Sequence, residues 1–476
     1  MPDDLCYLSA TEALAAFKAR KLSPVELLQA VIARADAVDP KINAFPMKLY
    51  DRALGEARKA EARYMKTDGR TRALEGVPMA IKDETTIKGW RTTFGSVVFK
   101  DNIDTYTAPA AERIIKAGAV IHARSAAPEF SCAPYTHSRQ WGITRNPWNL
   151  DYSPGGSSGG AGASLAAGST TLANGSDIGG SIRIPASMCG VVGFKPPYGR
   201  NPEGSPFNLD HYCHAGPMAR TVADCALFQN VLSGPHPGDI ASIRPKLKIP
   251  ARLEGDLKGW RIAYSPTLDG FEVEPDVARN TAAAVEVFRS LGATVEEIEI
   301  GWNHAEIVRA TWAHFGSIFG PWIARVLAEH RHSMTAYAID FAERSQGVSV
   351  ADFLESLEIE GRMYAKLGAH FQRYRLLLCP TLPLPSVKAG EDYVDDKVHI
   401  NGKPQDSIVH WLMTVCFNMM SRCPVMSVPS GRASSGVPTG LSVVGRTYDD
   451  VSVFRAAAAF ERAQPWLDTA ARRPAL

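Results

Sequence analysis

Gly76-Val77-Pro78-Met79-Ala80-Ile81-Lys82-Asp83 is a short apolar run between chain breakers that ends in a lysine, and such a run reads as a buried strand. Downstream, Ala108 to Ala117 has helical character and leads into a second extended run, Ala119-Val120-Ile121-His122. Strand, helix and strand in this rhythm predict an α/β fold in which helices cover a sheet.

Working outward, Ser9-x-x-Glu12 and Ser23-Pro24-Val25-Glu26 each offer a capping hydroxyl followed by an acid at the third helical position, so two helices open the chain. Leu27, Leu28, Val31 and Ile32 repeat at helical spacing. Asp39-Pro40 is expected to close the second helix, because the residue before a proline prefers extended geometry. Ala53 to Met65 alternates charge and alanine, as a solvated helix with one packed face does. After about residue 247, extended runs at Arg261 to Tyr264 and Ala293 to Ile300 flank a helix at Val277 to Leu291. An aromatic-rich helix through His330 and a long helix from Val350 to Tyr374 follow. Three late strands, Leu376 to Cys379, Val425 to Val428 and Leu441 to Val444, are bounded by Pro or Gly.

Composition narrows the function. The 476 residues are 45% hydrophobic and 21% charged, a globular balance, and 52 Lys+Arg against 50 Asp+Glu leave a net charge of only +2. That is far from the basic excess a nucleic-acid ligand demands. The N-terminus carries Asp3 and Asp4 where a signal peptide carries basic residues, and no stretch reaches the roughly 18 apolar residues of a membrane span. A cytoplasmic protein without nucleic-acid or membrane partners is expected. Eight cysteines, at positions 6, 132, 189, 213, 225, 379, 416 and 423, form no Cys-x-x-Cys pair and are expected to be reduced and mostly buried.

The chemistry concentrates between Ser153 and Gly199, where the glycines are densest and are interleaved with Ala and Ser. Pro154-Gly155-Gly156-Ser157-Ser158-Gly159-Gly160 and Asp177-Ile178-Gly179-Gly180-Ser181-Ile182-Arg183-Ile184-Pro185 both set hydroxyls among glycines. A ligand can reach such a serine, and neighbouring N–H groups stay uncovered. This suits acyl transfer, which needs a nucleophilic hydroxyl, a base and donors for an oxyanion, the last available from Ile178 to Ser181. No histidine lies in or beside these runs. Lys82 is the alternative base: it ends an apolar strand, and strand alternation is expected to turn Asp83 and Glu84 away from it, so the desolvated amine can be neutral.

These residues resemble the amidase signature hydrolases, serine hydrolases with a Ser–cis-Ser–Lys triad. The resemblance rests on Lys82 and on the two serine-glycine motifs, with 75 residues from Lys82 to Ser157 and 24 from Ser157 to Ser181. It extends to Pro128-Glu129-Phe130, Arg145-Asn146-Pro147-Trp148, Gly193-Phe194-Lys195-Pro196 and Gly440 to Arg446, and weakens between about 240 and 410. It implies a large mixed twisted sheet covered by helices on both faces, in one domain over 1–476. Within it, about 70–230 would be the catalytic core and about 240–410 a variable substrate-side region. It further implies Ser181 as nucleophile, Ser157 after a cis peptide bond as proton carrier and Lys82 as general base. The N–H groups of Ile178, Gly179, Gly180 and Ser181 would hold the oxyanion, with Ser158 and Ser131 completing the oxyanion and substrate-binding set and Ser158, Asp177 and Arg183 orienting the turn. No metal or cofactor is implied, and the partner is a small-molecule amide. Oligomeric state is not legible in the sequence, a homodimer being the assembly allowed for.

Other readings weigh less. A nucleotide loop lacks Gly-Lys-Ser/Thr. His211-x-x-His214 with Cys213 has metal-ligand residue types but no second pair at ligand spacing. Cys132 and Cys189 would need a histidine base that the sequence does not place near them. Trp302, Trp312, Phe315, Phe319 and Trp322 recur at helical spacing, as a core stripe does, though in the resembled family this region borders the substrate and its aromatics hint at an apolar or aryl group. The expected function is amide hydrolysis through an acyl-enzyme. The alternatives are a glutamine-hydrolysing ammonia-donor subunit of a transamidation complex and a non-catalytic binding protein on the same fold.

Overall fold

The computed structural model describes residues 2–66 and 70–476. Its centre is one sheet of eleven strands. In chain order these are β1 (Met47–Lys48), β2 (Pro78–Lys82), β3 (Val120–Ser125), β4 (Leu172–Asp177), β5 (Val192–Lys195), β6 (His214–Ala219), β7 (Arg261–Tyr264), β8 (Thr294–Glu297), β9 (Leu376–Pro380), β10 (Val425–Arg432) and β11 (Pro438–Gly445). Across the sheet they run β1-β3-β2-β4-β6-β5-β10-β11-β9-β7-β8. The pairs β3/β2, β2/β4, β9/β7 and β7/β8 are parallel. The centre, β4/β6/β5/β10/β11/β9, is antiparallel throughout, so the sheet is mixed, as expected.

Alternate residues of a strand face opposite sides, and here both sides are packed. On β9, Leu377 and Cys379 enter one core layer, while Leu376 and Leu378 enter the other. Ala263 and Ile262 on β7 divide in the same way, as do Val425 and Met426 on β10. The first layer holds the helices of the 304–371 region, and the second holds Pro109–Ala117, Val222–Leu232, Pro275–Ser290 and Asp450–Ala463. A third, alanine-rich layer joins Ala80, Ala123 and Ala173 of β2, β3 and β4 to helices Gly159–Ala166 and Arg183–Cys189. Small side chains let those helix backbones come down on the strands: a Cβ on Gly160 would lie 2.2 Å from the Ala126 backbone nitrogen.

Both predicted capping boxes are present, on Ala10–Lys18 and Pro24–Ile42. Pro40 does not close the second helix, which continues to Ile42 and ends at Asn43 in the left-handed conformation. Lying in the last turn, the proline forfeits a single backbone bond, and that cost is outweighed by the burial of Val38 and Ile42. The aromatic-rich helix is two helices, His304–Ser317 and Phe319–His330, broken at Ile318. Seven of the eight cysteines are buried, and Cys213 is partly exposed. Among the described residues, no helix is long and apolar enough to cross a membrane.

Phe194 of β5 is fully buried, its ring centroid 4.6 Å from that of Phe454 on the covering helix. Phe194→Ala is expected to lower the unfolding free energy by about 3–5 kcal/mol, read from urea denaturation followed by tryptophan fluorescence. A loss below about 1 kcal/mol would mean that this helix is not held through the ring.

Candidate active site

Lys82 is the last residue of β2 and is completely buried. Its Nζ lies 2.7 Å from Ser157 Oγ, 2.9 Å from Ser176 Oγ and 3.1 Å from Glu84 Oε2. Burial pushes the amine below its ordinary pKa, and the Glu84 carboxylate opposes that shift without cancelling it. Burial in turn works against the Glu84 carboxylate, but the Lys82 charge and the Ser131 hydroxyl outweigh it and hold the group below its ordinary value. Strand alternation therefore places only one of the two acids. Asp83 does turn away, accepting from Thr93 N at 3.0 Å and Trp141 Nε1 at 3.1 Å. Glu84 returns to Lys82 because the strand stops at Lys82 and the chain turns.

Ser157 follows a cis peptide bond from Gly156 and stands just before helix Gly159–Ala166. Ser181 lies between β4 and helix Arg183–Cys189, and the two serine segments are tied by Ser158 N–H donating to the Ser181 carbonyl at 3.1 Å. Lys82 to Ser157 is closed as a side-chain hydrogen bond. The Ser181 hydroxyl makes no hydrogen bond among the described residues, so the second half of the expected bridge is open. Catalytic hydrogen bonds often close only around a substrate.

The Ser181 turn is held from below by a buried ion pair. Arg183 Nη2 and Nε donate to Asp177 at 2.8 and 2.9 Å, and Asn418 Nδ2 donates to Asp177 Oδ1 at 2.8 Å. Burial alone would raise the Asp177 pKa, but Arg183 overcomes it and holds the carboxyl well below the carboxylate range. Thr414, 235 residues away from Gly179 in sequence, donates to the Gly179 carbonyl at 2.6 Å. Gly180 has φ of +128°, and a Cβ there would stand 2.1 Å from Thr414 Oγ1, so this position admits only glycine.

Of the expected oxyanion donors, Ile178, Gly179 and Ser181 keep backbone N–H groups without a hydrogen bond among the described residues. Gly180 does not: its N–H is spent on Asp177 Oδ1 at 2.8 Å. The Ser158 hydroxyl lines neither cavity and has no partner among the described residues, while its backbone N–H holds the Ser181 carbonyl, in keeping with the expected part in orienting the turn. Ser131, with φ of +58°, lines both cavities and donates to Glu84. Glu84, Ser176 and Thr414 were not legible as site residues. Ser176 directly precedes the Asp177 to Pro185 motif and could have been noticed, whereas Thr414 carries no local signal.

Two cavities meet at Ile178, Ser131 and Phe319. The larger, about 360 Å³, contains Ser157 and is walled by Phe94, Phe130, Phe207, Phe319 and Trp322, with rings crossing edge to face. The smaller, about 30 Å³, contains Ser181 and the apolar side chains of Ile184, Phe315, Phe341, Ile408 and Leu412. Of the aromatic stripe, Phe315, Phe319 and Trp322 therefore face cavities at the site. Trp302 is a core residue that donates to the Met363 carbonyl, and Trp312 lies by a separate small hollow.

The His211/His214 pair does not assemble. His214 is hydrogen-bonded to the Tyr212 carbonyl at 2.7 Å and kept neutral, its pKa pushed down to about 3 by burial. Asp210, His211 and His314 bring ligand atoms within 4.8 Å of one another, but His314 is paired with Asp210 at 2.7 Å and His211 with Glu360 at 2.8 Å. Tyr212 stacks on His314 with centroids 3.5 Å apart, and these pairings account for the cluster as packing.

A buried lysine beside two serines, a glycine turn with free N–H groups and an apolar cavity form a hydrolase-type site on a mixed α/β sheet. The chain matches the family described as Amidase over residues 26–454. An acylamidase of Rhodococcus erythropolis is 34% identical over 98% of this chain and 97% of its own. A glutamyl-tRNA(Gln) amidotransferase subunit of Geobacter metallireducens is 33% identical over 94% of this chain and 96% of its own. A bacterial aryl acylamidase belonging to the amidase signature enzymes superposes with a TM-score of 0.90 at 31% identity, covering 96% of both chains. The chain belongs to the amidase signature family and is an amidase.

Arg183→Met would leave Asp177 charged and buried without its cation. The expected cost is about 3–5 kcal/mol of unfolding free energy, measurable by chemical denaturation. An unchanged midpoint would show that Asn418 and the turn amides suffice to hold Asp177.

Proposed function

We propose that this amidase works through Ser181, Ser157 and Lys82 on an amide that joins a compact apolar acyl group to an aromatic or apolar amine. The 2.7 Å contact between the buried Lys82 amine and Ser157 Oγ carries the reading. In the first step the Ser181 oxygen attacks the carbonyl carbon. Its proton passes to Ser157, and the Ser157 proton passes to neutral Lys82. The oxyanion is met by the N–H groups of Ile178, Gly179 and Ser181, donors already in place before charge develops. As the C–N bond breaks, the proton returns from Lys82 through Ser157 to the departing nitrogen. Water then attacks the acyl-enzyme by the same route and frees the acid and Ser181.

This proton path orients the substrate. The departing nitrogen must face Ser157, which lines the larger aromatic cavity, and the acyl group then enters the smaller apolar one beside Ser181. The acylamidase relative and the aryl acylamidase neighbour agree with a substrate of that shape. The likeness to amidotransferase subunits favours glutamine as a second reading. Against it, no Lys or Arg lines the larger cavity among the described residues to meet an α-carboxylate. Release of product from acetanilides, aliphatic amides and glutamine decides between them: anilide turnover is expected, and glutamine turnover alone would overturn the reading.

Ser181→Ala is expected to lower hydrolysis by about a thousandfold or more while the far-ultraviolet circular dichroism stays that of the parent. Acylation of any other residue by a serine-directed probe would remove Ser181 from its role.

The pH profile tests Lys82. The neutral amine is lost as pH falls through its depressed pKa, so kcat/KM is expected to decline on the acid side. Glu84→Gln removes the anion that raises that pKa, and the acid limb should then move to lower pH. An acid limb that stays in place or moves up would show that Lys82 is not the base being titrated.

A further inference from the structure

The larger cavity has an acid with no counter-charge. Four carboxylates line it, Glu84, Asp104, Asp177 and Glu203, and among the described residues no Lys or Arg does. Three of them are answered: Glu84 by Lys82 at 3.1 Å, Asp177 by Arg183 at 2.8 Å, and Asp104 by Thr92 Oγ1 and the Ile87 N–H, both at 2.7 Å, with Arg124 at 3.7 Å. Glu203 makes no ion pair among the described residues, and its carboxyl is met only by the N–H of its neighbour Gly204. His214, the basic side chain on this wall, is neutral.

The segment presenting Glu203 is pinned in place. Asp239 accepts from Glu203 N–H at 3.0 Å and from Asn208 Nδ2 at 3.1 Å, and Tyr198 donates to the Asn208 carbonyl at 2.8 Å. The same stretch, Glu203 to Phe207, lines the cavity continuously. It ends at Phe207, whose ring lies 5.7 Å from Trp322 and 5.9 Å from Phe319. A fixed carboxyl on a wall of aromatic faces is the chemistry that holds an organic cation, through charge-assisted hydrogen bonds and cation–π attraction.

We propose that Glu203, with Phe207 and Trp322, forms a subsite for a protonated amino group carried on the amine half of the substrate. The assignment to the amine half rests on the proposed proton path through Ser157; the subsite itself rests on the cavity's charges and rings. The chemical class follows: amides whose departing amine bears a second, positively charged nitrogen.

A proton signature accompanies such binding. Burial first, and then the charges of Glu84 and Asp239, push the Glu203 carboxyl up to about 8, with Lys82 pulling weakly the other way. The protonated form is therefore substantially populated at pH 7. A cation beside it favours the carboxylate, so binding below pH 8 releases a proton to the buffer.

The test is equilibrium binding to the full chain, which requires no turnover. Titration calorimetry at pH 7 compares 4-(aminomethyl)aniline, whose benzylic nitrogen is protonated, with the uncharged and similarly shaped 4-methylaniline. The charged amine is expected to bind about tenfold more tightly, with proton release seen as a heat that differs between phosphate and Tris buffers. Glu203→Gln should reduce the preference to about twofold or less and abolish the proton release. Equal binding of the two amines by the parent protein would overturn the proposal, as would a preference that survives Glu203→Gln. If that variant does not fold, the parent's ligand preference and proton count decide. Failure of the amidase reading would instead appear as absent hydrolysis of an uncharged anilide, whatever these affinities are.

Discussion

The site depends on how closely three pieces of backbone can approach. Lys82 ends one strand, Ser157 precedes a helix laid across the neighbouring strands, and Ser181 sits on the turn between a third strand and a second helix. For an amine on a strand to come within 2.7 Å of a serine on a helix N-terminus, the layer between them must be nearly empty of side chains. That layer is rich in alanine, with Ala80, Ala123, Ala161, Ala163, Ala173 and Ala186 all without exposed surface. Interiors pack at crystal density, so larger residues here would push the helices off the sheet and the serines away from the lysine. The Ala, Gly and Ser composition of this region is thus a spacing requirement as much as a catalytic one.

Electrostatics then divides the work within that space. Two ion pairs, one fully buried and one with a partly exposed acid, have different surroundings. Asp177 and Arg183 are bidentate, further tied to Asn418, and lock the turn that carries Ser181. Lys82 and Glu84 share a single 3.1 Å contact, and Lys82 also reaches two hydroxyls. The first pair stays charged because Arg183 overcomes the burial of Asp177 and holds its carboxyl well below the carboxylate range. In the second, burial lowers the Lys82 pKa while Glu84 raises it, and burial prevails.

The two cavities give the site two unlike sides. Ser157 opens on an aromatic volume of about 360 Å³ and Ser181 on an apolar one of about 30 Å³, so the two sides of a scissile bond meet different surroundings. The wall of the larger cavity is assembled from the 94–130 segment, the 203–207 loop and helix Phe319–His330. The acidic loop and the aromatic helix are far apart in sequence, and the fold brings them to one surface.

Much of this is legible in the amino-acid sequence. The β2 strand, both capping boxes, the helix of Val350–Arg373 and the late strands follow from periodicity and punctuation, because those signals are local. Lys82 and the two serines stand out because glycine-flanked hydroxyls and a lysine ending an apolar run are unusual, and because their separations match a resembled family. The contribution of Glu84 does not follow, since alternation holds only while a strand continues and this one ends at Lys82. Nor does the loss of the Gly180 N–H to Asp177, which depends on how tightly the turn closes. Thr414 and Asn418 reach the turn through contacts made across hundreds of residues. Sequence by itself singled out the residues proposed to carry chemistry and most of the local elements that hold them. Tertiary structure alone decided which of them touch, because contact distance, burial and the pKa values that follow from burial are properties of the packed chain.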